Sequence, residues 1–449
     1  MLRSGQILQR RYRIGDCLGE GGSARVFAAD DLVEGQRVAL KLFDAGPGSS
    51  GLPRAELERL RGLYHPRLVR LREYGCEADL HFYTCDLVQG QTLAGFAASQ
   101  PSARWLDALA DALEALDFLH RQGLRHGDFK PDNVVVDGQG RGVLIDLGCA
   151  RPLGEASTEL SGTPGYLAPE LLAGHRAAAR ADLYAVGVTL SELGAPAALA
   201  GLVARLRAPD EAARPGDVAE LLELLDRPRD LYASAFGPAP SLLGRASQQR
   251  RAGALLDSFL EGREGCRGLW VEGAAGVGRT RFVRELGWDL QGRCRAWPAR
   301  RGEGVEGLLS RVAGRPVQGP DGIVSAVTQL AAGDSELLCM DDLQQLEPRE
   351  LELLQLALSA TPAEGQVFWL LAFAGGFTGD LPGTLERIPL AALDQAALHG
   401  WVGDALAPEA RQDLLRYTGG FPSLVERTLA ALAQGTLRRA DLAGALPLM

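Results

Sequence analysis

The strongest constraint on this chain is a break in its pattern. Between Arg227 and Ser241 the apolar periodicity stops, and Pro228, Pro238, Pro240 and the Gly237-Pro238 step prevent a helix or strand from running through. A chain of 449 residues interrupted in this way is expected to form separate cores on either side of a linker at 227–240. Before the break, residues 12–43 read as short strands between Gly- and Asp-rich turns, with clear alternation at Arg37-Val-Ala-Leu-Lys41. A helical stretch is expected from Pro53 to Leu63, and strands at 68–74 and 80–88. From Pro101 the period lengthens: Leu106, Leu109, Leu113, Leu116 and Leu119 recur at three and four, with Ser102 as expected cap and Gly123 as stop. This predicts a β-rich small lobe over 10–88 and a mainly helical large lobe over 89–226. After the break, strands at 268–272, 336–340 and 367–372 alternate with helical segments, the pattern of a parallel sheet flanked by helices. Helices are also expected near 394–404, 408–418 and 422–434.

Composition narrows the function classes. A formal charge of −10 gives no basic field, so neither nucleic acid nor an anionic membrane is the expected partner. There is no secretion-type leader and no run of about 18 apolar residues, so a cytoplasmic location is expected. Seven scattered cysteines without C-x-x-C spacing predict reduced, buried thiols rather than disulfides or a zinc site.

The first part carries an ordered set of chemical motifs. Leu18-Gly-Glu-Gly-Gly-Ser-Ala-Arg-Val26 lies between two strands, and Gly19, Gly21 and Gly22 let backbone amides approach phosphate oxygens. Val38-Ala-Leu-Lys41, His126-Gly-Asp-Phe-Lys-Pro-Asp-Asn133, Asp146-Leu-Gly148 and Ala168-Pro-Glu170 follow in order. With these motifs, residues 10–226 resemble the bacterial branch of the eukaryotic-type serine/threonine protein kinases, an α+β bilobal fold using ATP and Mg2+. The resemblance places Leu18, Gly19, Gly21, Gly22, Val26 and Ala39 around the nucleotide. It assigns Lys41 to the phosphates, paired with a helix carboxylate, Glu56 or its neighbour Glu58. It makes Asp128 the acceptor of the substrate hydroxyl proton and Lys130 the neutraliser of the transferred phosphoryl group, with Asn133 and Asp146 as magnesium ligands. Gly162-Thr-Pro-Gly-Tyr-Leu-Ala-Pro-Glu170 resembles the substrate-facing loop. The pairing of Thr163 with Lys130 implies protein serine/threonine hydroxyls as substrate, and the loop argues against a small-molecule phosphotransferase. Asp182 is expected to brace the catalytic loop, Arg214 to pair with buried Glu170, and His126 to support the loop by hydrogen bonding; the other histidines read as ordinary structure.

An independent signal agrees. Of 47 basic residues only Lys41 and Lys130 are lysine. Arginine does not reproduce a compact ammonium at either position, and chance gives this placement roughly once in a thousand. Three departures stand against the family pattern. Ala24 replaces the third loop glycine. Gly127 replaces the arginine that docks a phosphorylated activation loop, so activity is expected to be indifferent to Ser157, Thr158 and Ser161. Only 194–213 separates the Asp182 helix from Arg214, so the large lobe is trimmed, and the second domain is expected to pack there.

The second part has its own constellation. Gly268-Leu-Trp-Val-Glu-Gly-Ala-Ala-Gly-Val-Gly-Arg-Thr280 gives a strand, a turn with Gly273, Gly276 and Gly278, and a helix start suited to phosphate. Thr280 can bind magnesium. An apolar strand then ends in Asp341, expected to orient the metal, and Asp342, expected to activate water. With Thr418-Gly-Gly-Phe-Pro422, residues 241–434 resemble the signal-transduction ATPases with numerous domains, AAA+ relatives with an α/β P-loop NTPase fold and a C-terminal helical lid, here from about 391 to 449. That resemblance places Gly244 and Arg245 near adenine and Pro422 against the base, and allows self-association through this domain. Arg279 stands where the phosphate-binding lysine belongs, so nucleotide binding with slow or no hydrolysis is expected. The combined reading is a signalling kinase regulated by a fused nucleotide switch; the alternative is a nucleotide-sensing scaffold with a vestigial kinase domain.

Overall fold

The computed structural model describes residues 3–20, 24–43, 60, 63, 65–77, 80–154, 162–174, 178–227, 242–263, 265–290, 293–375, 384–402, 406–433, 437 and 442. Gly21, Gly22, Glu56, Glu58, Ser157, Thr158, Ser161 and most of the stretch from Pro53 to Leu63 lie outside them.

Six strands form an antiparallel sheet in the order β1-β2-β3-β4-β6-β5: β1 Ile7–Leu8, β2 Tyr12–Glu20, β3 Ala24–Asp31, β4 Gln36–Phe43, β5 Leu71–Glu77 and β6 Leu80–Asp86. One face buries Leu8, Tyr12, Ile14, Phe27, Leu40 and Phe82 in a core of its own. Strand side chains alternate, so Val26, Ala39, Lys41 and Tyr83 share the other face. There Val26 stands opposite Lys41, and Lys41 opposite Tyr83.

The next part is built on the helix Ser102–Arg121, whose Leu109, Leu113 and Leu116 are fully buried. Ser102 is the first helical residue, not its cap: Pro101 takes the cap position, extended at φ −59° and ψ 151°, without a capping side-chain bond. Gly123, at φ +72°, ends the helix as expected. Around it lie β7 Gly90–Thr92, β8 Leu124–Arg125, β9 Val134–Asp137, β10 Gly142–Leu144 and β11 Arg151–Pro152, with the helices Ala179–Glu192 and Val218–Leu224. Strand β8 pairs antiparallel with β11.

Beyond residue 241 five parallel strands run in the order β13-β14-β15-β12-β16: β12 Gly268–Gly273, β13 Arg295–Pro298, β14 Glu336–Met340, β15 Val367–Ala374 and β16 Leu385–Pro389. The helices Ala246–Leu260 and Arg279–Asp289 pack on one face through Leu269 and Val271. Val305–Ala313, Gly319–Ala331 and Pro348–Ser359 pack on the other through Trp270 and Leu338. The three expected strands are the inner ones. Sequence reading missed β13 and β16, the short sheet edges, whose prolines and arginines break the apolar signal. The helices Gln395–Val402, Pro408–Thr418 and Pro422–Ala433 match the three expected at the C-terminal side and share a separate core with Leu398, Leu414 and Val425.

The two parts meet at the small lobe. Arg284 pairs with Glu34, the Arg301 amide donates to Leu32 at 3.3 Å, and Arg300 donates to the Arg10 carbonyl at 3.3 Å. The Arg10 guanidinium lies 4.0 Å from the Trp297 ring centroid. These contacts engage the opposite lobe from the trimmed 194–213 segment, where packing was expected. A cavity of about 1470 Å³ lies along the seam, with Glu34, Arg284, Thr280 and Asp341 in its wall. None of the seven cysteines is in a disulfide; Cys339 is buried, but Cys17 and Cys76 are exposed, against the expectation of buried thiols. No helix among the described residues is long and apolar enough to cross a membrane.

Candidate functional site

The loop from β8 to β9 carries the polar residues His126, Asp128 and Asn133, all buried. Its conformation is held by Asp182, which is 2% exposed: this carboxylate accepts from the amides of His126 at 2.8 Å and Gly127 at 2.9 Å, and contacts His120 Nε2 at 2.8 Å. Burial alone would raise the Asp182 pKa, but these partners hold it below the usual carboxylate range. Sequence reading found Asp182 and missed His120. The histidine sits in the last turn of a helix and meets the loop only through the fold. His126 braces the loop as expected: its Nδ1 accepts from the Asp128 amide at 3.3 Å, leaving Nε2–H to donate to Ile145 O at 3.0 Å.

Asp128 is the centre of convergence. Its carboxylate accepts from the Thr163 amide at 2.7 Å, from Asn133 Nδ2 at 2.9 Å, and lies 3.0 Å from Lys130 Nζ. Lys130 also donates to Thr163 Oγ1 at 2.5 Å. Burial pushes the Asp128 pKa up, and bonds from Thr163 and Lys130 more than offset it, so the carboxyl stays ionised. Asn133 spends its amide on Asp128, donating also to its backbone carbonyl at 2.7 Å, which leaves Oδ1 as an oxygen donor for a cation.

The second half of the site comes from both lobes. Asp146, left-handed at φ +62°, accepts from Lys41 Nζ at 2.5 Å and from the Gly148 amide at 3.0 Å. Its pKa is raised by burial and lowered further by the Lys41 charge, with a net fall. The Tyr83 hydroxyl is 3.5 Å from the same oxygen, a neighbour that only the register opposite Lys41 reveals. Leu18, Gly19, Val26 and Ala39 lie on β2 to β4 above this group, with Leu18 exposed. Below, Arg214 clamps Glu170 through two bonds of 2.6 and 2.7 Å, as expected.

A second group gathers at the end of β12. Gly276 and Gly278 take φ of +82° and +98°, and a Cβ on Gly273 would lie 2.7 Å from Leu390 O. The turn leads into the helix Arg279–Asp289. The Thr280 hydroxyl hydrogen-bonds Asp341, whose pKa is nevertheless raised by burial. Arg279 is 7% exposed; it lies 3.7 Å from Asp342 and has a buried Nη1 without a partner. Gly244, at φ +65°, precedes buried Arg245, which donates to the carbonyls of Val277 and Ala391. The Ser423 amide, next to Pro422, donates to Gly276 O at 3.3 Å. The predicted residues thus form two groups, one between the lobes and one at the carboxyl end of the parallel sheet.

The first group lies in the part of the chain that compares with protein kinase domains. Residues 12–200 match the protein kinase domain family. The chain is 37% identical over 203 residues to the DNA damage-responsive serine/threonine-protein kinase RqkA of Deinococcus radiodurans, covering 42% of this chain and 30% of that one. It is 31% identical over 205 residues to a probable serine/threonine-protein kinase PknB of Lactococcus lactis, covering 43% and 33%. It therefore spans about a third of the length of these relatives. Among solved structures, a point mutant of the Mycobacterium tuberculosis PknI kinase domain is matched at 26% identity over 50% of this chain and 98% of that one, with a TM-score of 0.43.

Proposed function

We propose that this chain is an ATP- and magnesium-dependent serine/threonine protein kinase of bacterial signalling, acting in the cytoplasm on protein hydroxyls and regulated by a P-loop nucleotide-binding domain over 241–449. The observation that carries the kinase reading is the convergence of Lys130, Asn133 and Thr163 on an ionised Asp128. Asp128 is placed to take a hydroxyl proton, and Lys130 to stabilise negative charge beside it. Lys41 orients phosphate oxygens from above. The oxygen donors of Asn133 and Asp146 suit magnesium, which supplies charge neutralisation on the phosphates.

The regulatory reading rests on one helix that carries two contacts of interest. Arg279–Asp289 starts at the glycine turn, in the position for phosphate, and carries Arg284, the partner of Glu34 in the kinase small lobe. The contact between Ser423 and Gly276 O supports a helical lid of the signal-transduction ATPase type. Arg279 turned toward Asp342 supports binding with slow hydrolysis. The test is transfer of label from ATP with magnesium, to the chain and to a generic basic protein, in wild type, Asp128→Ala and Arg279→Ala. Loss of labelling in Asp128→Ala is expected. Labelling that survives in Asp128→Ala refutes the assignment, and none in any form leaves a nucleotide-gated scaffold.

A further inference from the structure

Tyr83 stands at a junction that the chemistry assigned so far leaves unused. It lies on β6, an inner strand between β4 and β5, in register with Lys41 on one side and Tyr74 on the other. Its side chain is 3% exposed and belongs to the buried cluster that also holds Leu147, the residue after Asp146. The ring is packed against Phe43, with centroids 5.5 Å apart and planes tilted by 52°. A buried tyrosine carries a hydroxyl that needs a partner. Among the described residues that partner is Asp146 Oδ1, at 3.5 Å.

Three donors therefore face one oxygen. Asp146 Oδ1 accepts from Lys41 Nζ at 2.5 Å and from the Gly148 amide at 3.0 Å, with the Tyr83 hydroxyl third and most distant. No donor among the described residues takes Oδ2, which leaves that oxygen to ligate a cation. Lys41 is also the small lobe's cation for phosphate oxygens, and their charge draws its ammonium away from Oδ1. The Tyr83 hydroxyl is neutral and its ring is fixed by packing, so phosphate does not draw it off. We propose that Tyr83 is a positioning residue for phosphoryl transfer: its hydroxyl takes over Asp146 Oδ1 as Lys41 turns to phosphate, which keeps the carboxylate set to hold metal through Oδ2. The contact, long for O–H···O while Lys41 holds the carboxylate, shortens as the ammonium leaves. The roles of phosphate and metal rest on the kinase reading; the contact of Tyr83 with Asp146 does not.

The test compares wild type, Tyr83→Phe and Asp146→Asn as full chains. Mn2+, which takes oxygen donors as Mg2+ does, is titrated with a saturating non-hydrolysable ATP analogue, and free ion is counted by its paramagnetic resonance. Ion lost in Asp146→Asn belongs to this site, and any ion at the second glycine turn is common to all three proteins. Tyr83→Phe is expected to raise half-saturating Mn2+ at the Asp146-dependent site about tenfold, as for loss of a hydrogen bond to a charged group. Affinity for the analogue without metal should match wild type, and the magnesium concentration at half-maximal transfer should rise in step. An unchanged Mn2+ titration, or no ion that depends on Asp146, overturns the positioning role. So does metal-free affinity that falls in parallel, because the hydroxyl then serves only the shape of the pocket. Absence of transfer in wild type refutes the kinase reading, while the Mn2+ titration still decides the role of Tyr83.

Discussion

At the scale of single residues, the two lysines show why identity matters more than charge. Lys41 Nζ sits 2.5 Å from Asp146 and Lys130 Nζ 3.0 Å from Asp128, each a single ammonium between close oxygens. A guanidinium carries the same charge on a wide planar fork that does not fit these gaps. Lys41→Arg and Lys130→Arg should each reduce phosphoryl transfer about 10²-fold, as for loss of a preorganised electrostatic contact, with little change in unfolding temperature. Transfer within a few-fold of wild type in both would show that the lysines are incidental. Tyr83 and His120 lay outside the sequence argument for one shared reason. Each acts through a partner distant in the chain, and neither belongs to a fixed local spacing.

At the scale of elements, buried polar side chains tie together segments distant in the chain. Arg214, 1% exposed, joins the segment after Ala213 to the helix Pro169–Leu172 through Glu170. Arg214→Ala strands a buried carboxylate and should cost about 3–5 kcal/mol in denaturant unfolding of the full chain; a loss under about 1 kcal/mol would show that water reaches Glu170. His65 ties the loop before β5 to the helix Ser102–Arg121, stacked on Phe118 with ring centroids 5.2 Å apart. Burial, with help from Arg121 and Arg67, lowers its pKa to about 3. The folded state therefore holds it neutral while the unfolded chain protonates it near the ordinary value of about 6.5. Its contribution is complete above that pH and is lost as pH falls toward 3, at about 1.4 kcal/mol per pH unit. His65→Gln should remove that share of the acid dependence; identical slopes in the two proteins would place the histidine in solvent.

At the scale of the whole molecule, the seam between the parts carries charged contacts. The Arg284–Glu34 pair is about a quarter to a third exposed, with side chains at 33% and 22%, so its strength is modest. Reversing one partner, by Arg284→Glu or Glu34→Arg, should raise proteolytic cleavage of the 227–240 linker about fivefold, as loss of roughly 1 kcal/mol implies. The double reversal should restore resistance, and equal cleavage in all four proteins would remove this pair from the coupling. The sequence by itself determined the inner strands and the three last helices, because periodicity and turn residues act over a few positions. It also carried, as spaced motifs, the residues that the fold gathers into two groups. Only the tertiary structure decided that the edge strands β13 and β16 exist, that Pro101 and not Ser102 caps the long helix, and that the second part meets the small lobe. It also decided that His120 serves Asp182 and that Tyr83 reaches Asp146. These depend on which distant surfaces meet, and pairing between distant segments leaves no period in a single chain.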